Sequence, residues 1–425
     1  MVNTFFFKAL ILFLTLTVCS CETNTPWKGQ DPIKKVDTHT QAIELQYKGI
    51  FDLEDGIFMS NDFIGSRLNG AARANDTLIT LLITPENEKI NPSPWYAFKI
   101  WSKERRDIYI KFVYPKNSGH RYYPKLSHDN IHWEKLDSAF FKLGNFTEIE
   151  GQKVARSMTM KVQISPDTLS IAAQELNTSI EVGKWMKNLA INPFIDIDTI
   201  GYSQQKRPIK LLSIGESDDK KMIFIISRQH PPEVTGYLAM QAFVETLCSE
   251  SDLAIAFRKE YNAYVVPLAN PDGVDNGHWR HNAGGVDMNR DWADFNQPET
   301  QAISNFMKEK VKQSDGKFYF AVDFHSTYED IYYTSDSTLK GNMPGLIPEL
   351  ISKSAATFDN YVPNIKSGLD KDARVASTSF FFYEFGAESF TFEIGDATPR
   401  DFVRQKGEIT AQTLMELLLT NESQH

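Results

Sequence analysis

Cysteine is scarce in this chain. Only Cys19, Cys21 and Cys248 occur in 425 residues, which excludes a disulfide framework and leaves stability to the hydrophobic cores. An excess of positive charge is missing too. Lys and Arg number 45 against 55 Asp and Glu, the formal charge is -10, and no basic run occurs. That balance excludes the electrostatic footprint of a nucleic-acid binder. Internal repeats are absent. The most prominent apolar run, Ala9 to Val18, is too short to span a bilayer as a helix. What is present is a hydrophobic content of 41% with 12% aromatics, which places the chain among well-buried globular proteins and not among disordered ones. Its length is comfortable for two domains.

The first 21 residues have the layout of a secretory signal peptide: Lys8 is their only charge and Ala9 to Val18 form the apolar core. The segment ends Val18-Cys19-Ser20-Cys21. An apolar residue three before a cysteine, with a small residue just before it, resembles a bacterial lipobox with Cys21 as the lipidated residue. Cys19, preceded by Val18, fits less well; an ordinary cleaved signal is the alternative. The expectation is an exported protein, lipid-anchored in the bacterial cell envelope or otherwise secreted, that touches membrane only through the anchor. Residues 22–45 are polar and read as a tether.

From 46 to 164 the pattern has period two. Residues 77–84, 95–101, 107–114 and 158–164 alternate as strands, separated by turn clusters such as Pro92-Ser93-Pro94. Such spacing predicts an all-β antiparallel sandwich domain. Ser165-Pro166-Asp167 reads as a helix start, with a capping hydroxyl, proline in the first turn and an acid beside it. It predicts a helix to about 189 and a domain boundary at 165. Beyond 205 strands and helices alternate. Strand cores fall at 209–214, 222–226, 264–268, 318–324 and 390–394; helices at about 233–249, 298–312, 345–358 and 404–420. The expectation for 165–425 is an α/β domain with a mostly parallel or mixed sheet covered on both faces.

The chemistry gathers at strand ends. Met222 to Ile226 form an apolar run that leads to His230-Pro231-Pro232-Glu233. An imidazole and a carboxylate three residues apart at a strand-to-helix corner can converge on one metal ion, although a lone His-x-x-Glu is a weak pattern. Phe318 to Phe324 runs into His325, at the carboxyl edge of the sheet where open α/β folds bind ligands. Two imidazoles and a carboxylate make a three-ligand zinc site with a position left for water. Between them, the Gly-, Asn- and Asp-rich loop 270–292 offers Arg280, Asn289 and Arg290; a guanidinium fork beside an amide suits a carboxylate. In the last strand, Ser389 to Gly395, Glu393 stands among Phe390, Phe392 and Ile394. An acid there needs a partner or a task, and a general base is one such task.

In order and company these motifs resemble the zinc carboxypeptidases of the M14 family over about residues 46–420, and more closely their cytosolic carboxypeptidase-like branch. The resemblance implies one zinc ion per chain, held by His230, Glu233 and His325, with Asp287 orienting a ligand imidazole from behind. It implies Glu393 as the catalytic glutamate and Arg280 as the group that polarises the scissile carbonyl. Asn289 and Arg290 would hold the terminal carboxylate of a peptide or peptide-like substrate. Two departures stand out. Neither Tyr361 nor Tyr383 matches the tyrosine that pancreatic-type enzymes carry on a mobile loop. Arg374, in Lys371-Asp-Ala-Arg-Val375, resembles an arginine of the cytosolic branch that faces an acidic substrate side chain, but it lies farther from Glu393. The expected activity is zinc-dependent removal of C-terminal residues from peptides. The alternatives are trimming of peptidoglycan stem peptides, zinc-dependent deacylation, and a non-catalytic binding protein.

Overall fold

The computed structural model describes residues 27–149 and 152–421. As far as Ala172 its regular structure is all strand apart from one short turn of 3-10 helix, Ser138–Phe140. A six-stranded sheet places Ala97–Ser102 beside Leu169–Ala172, and a five-stranded sheet places Arg106–Val113 beside Ser157–Ile164. The period-two pattern explains the register. Met158, Met160 and Val162 stand opposite Phe112, Ile110 and Ile108, and all six are buried with Phe98, Ile100 and Ile171 from the other sheet in one core. The same core contains Trp279, from the loop that carries Arg280.

Two expectations fail in this half. No helix starts at 165. The Ser165 hydroxyl accepts the Asp167 amide at 3.1 Å, but what it closes is a turn, and Leu169–Ala172 then pairs antiparallel with Ala97–Ser102. Its apolar residues complete a sheet, a contact more than sixty residues away in sequence that outweighs a local capping pattern. The helix α1 covers only Ser179–Leu189 and is capped by Thr178 and Glu181 acting reciprocally. Nor is the segment 27–45 a free tether. The Ile33 amide donates to the Leu369 carbonyl and the Gln41 amide to the Gly284 carbonyl, and Thr38 is buried against Asn296 and Gln297.

Beyond α1 lies an eight-stranded mixed sheet. Its strands are β1 (Ile195–Tyr202), β2 (Pro208–Ile214), β3 (Lys221–Ser227), β4 (Asn262–Val266), β5 (Lys317–Thr327), β6 (Ile331–Thr334), β7 (Ile365–Ser367) and β8 (Glu388–Gly395), in spatial order β1-β2-β4-β3-β5-β8-β6-β7. The central four, β4-β3-β5-β8, are parallel. The helices α2 (Val234–Leu247), α3 (Asp252–Glu260), α6 (Leu346–Ala356) and α8 (Arg400–Asn421) cover one face with α1. The other face takes α5 (Pro298–Ser314) and α7 (Ser377–Phe385), and the short α4 (Pro271–Asn276) follows β4. Burial from both sides is why the central strands read as unbroken apolar runs. Because they are parallel, their carboxyl ends share one edge, and β3, β5 and β8 deliver His230, His325 and Glu393 there.

Candidate active site

The carboxyl end of β3 turns through Arg228, which is buried with φ +56°, and reaches His230. Glu233 occupies the N-cap position of α2 but makes no capping hydrogen bond, so its carboxylate is free for the two histidines. Oε1 lies 2.8 Å from Nδ1 of His230 and Oε2 lies 2.7 Å from Nδ1 of His325. Docking of α2 onto β5 makes this possible: a Cβ on Gly236 would stand 2.3 Å from the His325 carbonyl oxygen, so only glycine allows the approach.

His230, Glu233 and His325 are buried, and each offers a donor atom within 4.8 Å of the others. Behind them, Nε2 of His230 lies 2.9 Å from Asp287 and Nε2 of His325 lies 2.8 Å from Asp323. Imidazoles so backed by carboxylates are fixed in orientation and made more basic as ligands. Burial opposes charge on His325, but Asp323 and Glu233 outweigh it and raise its pKa well above the ordinary value. Burial likewise opposes charge on Glu233, and His230 and His325 outweigh it, holding the carboxyl far below its ordinary range. The set of two imidazoles and one carboxylate matches the donors of catalytic zinc.

Glu393 stands in register with His325 on the neighbouring strand. Its Oε2 is buried and has no hydrogen-bond partner. Burial, and then repulsion from Glu233, push its pKa up to about 8, against the pull of His325, Arg121 and Arg280. A cation held by Glu233 would offset that repulsion, and this is the second respect in which the site fits a metal.

The loop 277–292 supplies the remaining groups. Arg280 donates from Nε to Asp287 at 2.7 Å. Asn289 accepts the Ser377 amide at 2.9 Å through Oδ1, and its Nδ2 lies 3.4 Å from Nε2 of His325. Arg290 donates to the Asn289 carbonyl at 2.8 Å. Arg280, Asn289 and Arg290, with Glu393 and the three candidate ligands, line one cleft of about 850 Å³. Both halves of the chain build its walls, since Pro92, Pro94, Gly119 and Arg121 also line it.

Arg374 is not brought to this cleft. It is exposed, with φ +50°, and its guanidinium lies over the ring of Tyr383 at 3.9 Å. The segment places Ala376, Thr378 and Ser379 on the cleft wall instead. Asp323 was missed by the sequence reading, although it precedes His325 by two on the same strand, a spacing that puts both on one face. Tyr383 lines the cleft, whereas Tyr361 packs against Lys406.

Residues 182–414, more than half the chain, match the family model for zinc carboxypeptidases, Peptidase_M14. The chain belongs to that family. Among curated proteins, cytosolic carboxypeptidase 6 of Caenorhabditis elegans is 31% identical over 226 residues, covering 51% of this chain and 48% of that one. The mouse protein of the same name is 25% identical, covering 47% and 41%. The chain therefore spans about half the length of these relatives or less. Among solved structures, a metallo-carboxypeptidase from Burkholderia cenocepacia has the same fold at 17% identity, with a TM-score of 0.68 over 86% of this chain and all of that one. One from Pseudomonas aeruginosa, bound to (2-guanidinoethylmercapto)succinic acid, has a TM-score of 0.66 at 18% identity, over 85% of this chain and 98% of that one.

These relatives overturn the expected exported, lipid-anchored location. They are named cytosolic carboxypeptidases. The anchor reading rested on a short apolar run and a few residues around Cys21, a compositional cue of little specificity beside a match over hundreds of residues. Cys21 and residues 1–26 lie outside the described residues, and lipid anchoring has no support. Among the described residues no helix is long and apolar enough to cross a membrane.

Proposed function

We propose that this chain is a zinc-dependent carboxypeptidase that removes the C-terminal residue of peptides. The observation that carries the reading is the convergence of His230, Glu233 and His325 beside Glu393, whose Oε2 is buried and has no hydrogen-bond partner. In this reading one zinc ion is held by those three residues. Zinc held there would supply a water of near-neutral pKa and a Lewis acid for the scissile carbonyl.

The chain's own residues do the rest. Glu393 takes the proton from the attacking water and passes it to the departing amine. Arg280, held by Asp287, faces the negative charge that develops on the carbonyl oxygen, a contact stronger in the transition state than in the bound peptide. Asn289 and Arg290 receive the substrate's terminal carboxylate, which confines the cut to the last residue. Asp287 and Asp323 hold the two imidazoles.

The proposed organisation is a β-sandwich domain followed by the catalytic domain. Since Leu169–Ala172 pairs with sandwich strands, the junction falls after Ala172 and not at 165. Nothing in the cleft favours the stem-peptide, deacylase or non-catalytic readings. The test is Glu393→Gln. It should retain zinc and lose turnover of a peptide with a free C-terminus; surviving turnover would remove Glu393 from the mechanism.

A further inference from the structure

We infer that Glu86, on the loop after the strand Leu78–Leu82, is a positioning residue for Arg280, so that the strand-rich half of the chain sets the geometry of the reaction in the other half. The inference rests on the catalytic role proposed above for Arg280.

Glu86 is completely buried, and its carboxylate accepts three successive backbone amides. Trp279 donates to Oε2 at 2.8 Å; Arg280 and His281 donate to Oε1 at 3.0 and 2.7 Å. Three consecutive N–H groups turned onto one anion form a nest, and a buried carboxylate keeps its charge only when satisfied in this way. The neighbour Asn87 extends the grip: its Oδ1 lies 2.7 Å from Nδ1 of His281, and its Nδ2 donates to the Gly285 carbonyl at 3.0 Å. Trp279, locked in the core of the strand-rich half, prevents the loop from swinging away.

Arg280 is thereby fixed at both ends. Its backbone is tied to Glu86, and its guanidinium is tied to Asp287, which also orients His230. A small misplacement of a group that stabilises a transition state is enough to slow the reaction severely. Glu86 lies about two hundred residues from this loop in sequence and is not among the residues lining the cleft. It acts through Arg280 and not on the substrate.

The experiment uses the zinc-loaded full chain, a peptide with a free C-terminus, and three variants: Glu86→Gln, Arg280→Ala and the double. Arg280→Ala should lower kcat by about a hundredfold to a thousandfold. Glu86→Gln should lower kcat by about tenfold to a hundredfold with KM and zinc content unchanged. The double variant should be no slower than Arg280→Ala alone, because the lost positioning then has nothing left to position. Losses that multiply in the double overturn the inference, as does wild-type kcat in Glu86→Gln while Arg280→Ala is crippled. Wild-type kcat in Arg280→Ala overturns both the inference and the role of Arg280 beneath it. Should Glu86→Gln not fold, Glu86→Asp replaces it: the shortened carboxylate should lower kcat alone and add nothing to Arg280→Ala, and multiplying losses overturn the inference there too.

Discussion

Two glutamates, Glu86 fully buried and Glu393 half-buried, flank the proposed reaction, and their surroundings have opposite effects. Burial alone raises the pKa of any carboxyl. Glu86 nevertheless falls to about 2, because His278, His281, Arg67 and the donated amides outweigh burial. Glu393 rises to about 8, because burial goes unopposed by any hydrogen bond to Oε2 and Glu233 repels it. Saturation makes one carboxylate an anchor for the loop 279–281. Want of a partner leaves the other available to a proton. The strand-rich half of the chain contributes the anchor and the parallel sheet contributes the group proposed to react.

The contrast between Glu86 and Glu393 is open to measurement. The largest effect is on turnover: Glu393→Gln should cut kcat by about 10²- to 10⁴-fold while leaving the unfolding free energy unchanged or slightly higher, since no hydrogen bond to Oε2 is lost. Destabilisation by several kcal/mol would show that Glu393 is an anchor after all. Removal of zinc by a chelator should abolish activity and, relative to saturating metal, lower stability by about 3–4 kcal/mol, detected as a fall in Tm; an unchanged Tm would contradict the metal site. Glu86→Gln should cost about 2–4 kcal/mol through loss of charge-assisted hydrogen bonds, read from chemical denaturation.

The acid side of the stability profile isolates the same group. The folded pKa of Glu86 is depressed, so its contribution is complete above the unfolded value of 4.5 and is lost as pH falls toward about 2. The unfolding free energy should therefore drop across that window by on the order of 3 kcal/mol, and Glu86→Gln should flatten the drop. An identical slope in wild type and variant would contradict the assignment. The smallest effect belongs to Arg374. Exposed and stacked on Tyr383, it should leave kcat/KM for peptides with acidic or neutral C-terminal residues unchanged on substitution by Ala; selective loss on acidic substrates would return it to the site.

Which residues the sequence reveals follows from where their partners lie. Met222–Ile226 is buried on both faces, so its apolar run declares a strand, and the histidine beyond it declares the sheet edge. His325 and Glu393 are legible for the same reason. Leu169–Ala172 is only four residues long and follows a capping pattern, so nothing local separates it from a helix; its partners are Ala97–Ser102 and Lys125–Ser127. The strands β6 and β7, of four and three residues, are too short to show a period in the sequence. Glu86 is flanked only by Pro85 and Asn87, and every group that defines its role arrives from loop 278–281 or from Arg67. Asp323 could have been found, since strand alternation already places it beside His325. Arg374 could not have been excluded, because the left-handed turn that faces it outward is invisible in the local pattern.

The most direct test of the account is release of the last residue from a panel of peptides, each with a free or an amidated C-terminus, followed by mass spectrometry with and without chelator. Chelator-sensitive loss of one residue at a time is expected from the free peptides, and none from the amidated ones. Equal cleavage of amidated peptides, or no cleavage of any peptide by the zinc-loaded protein, would contradict it.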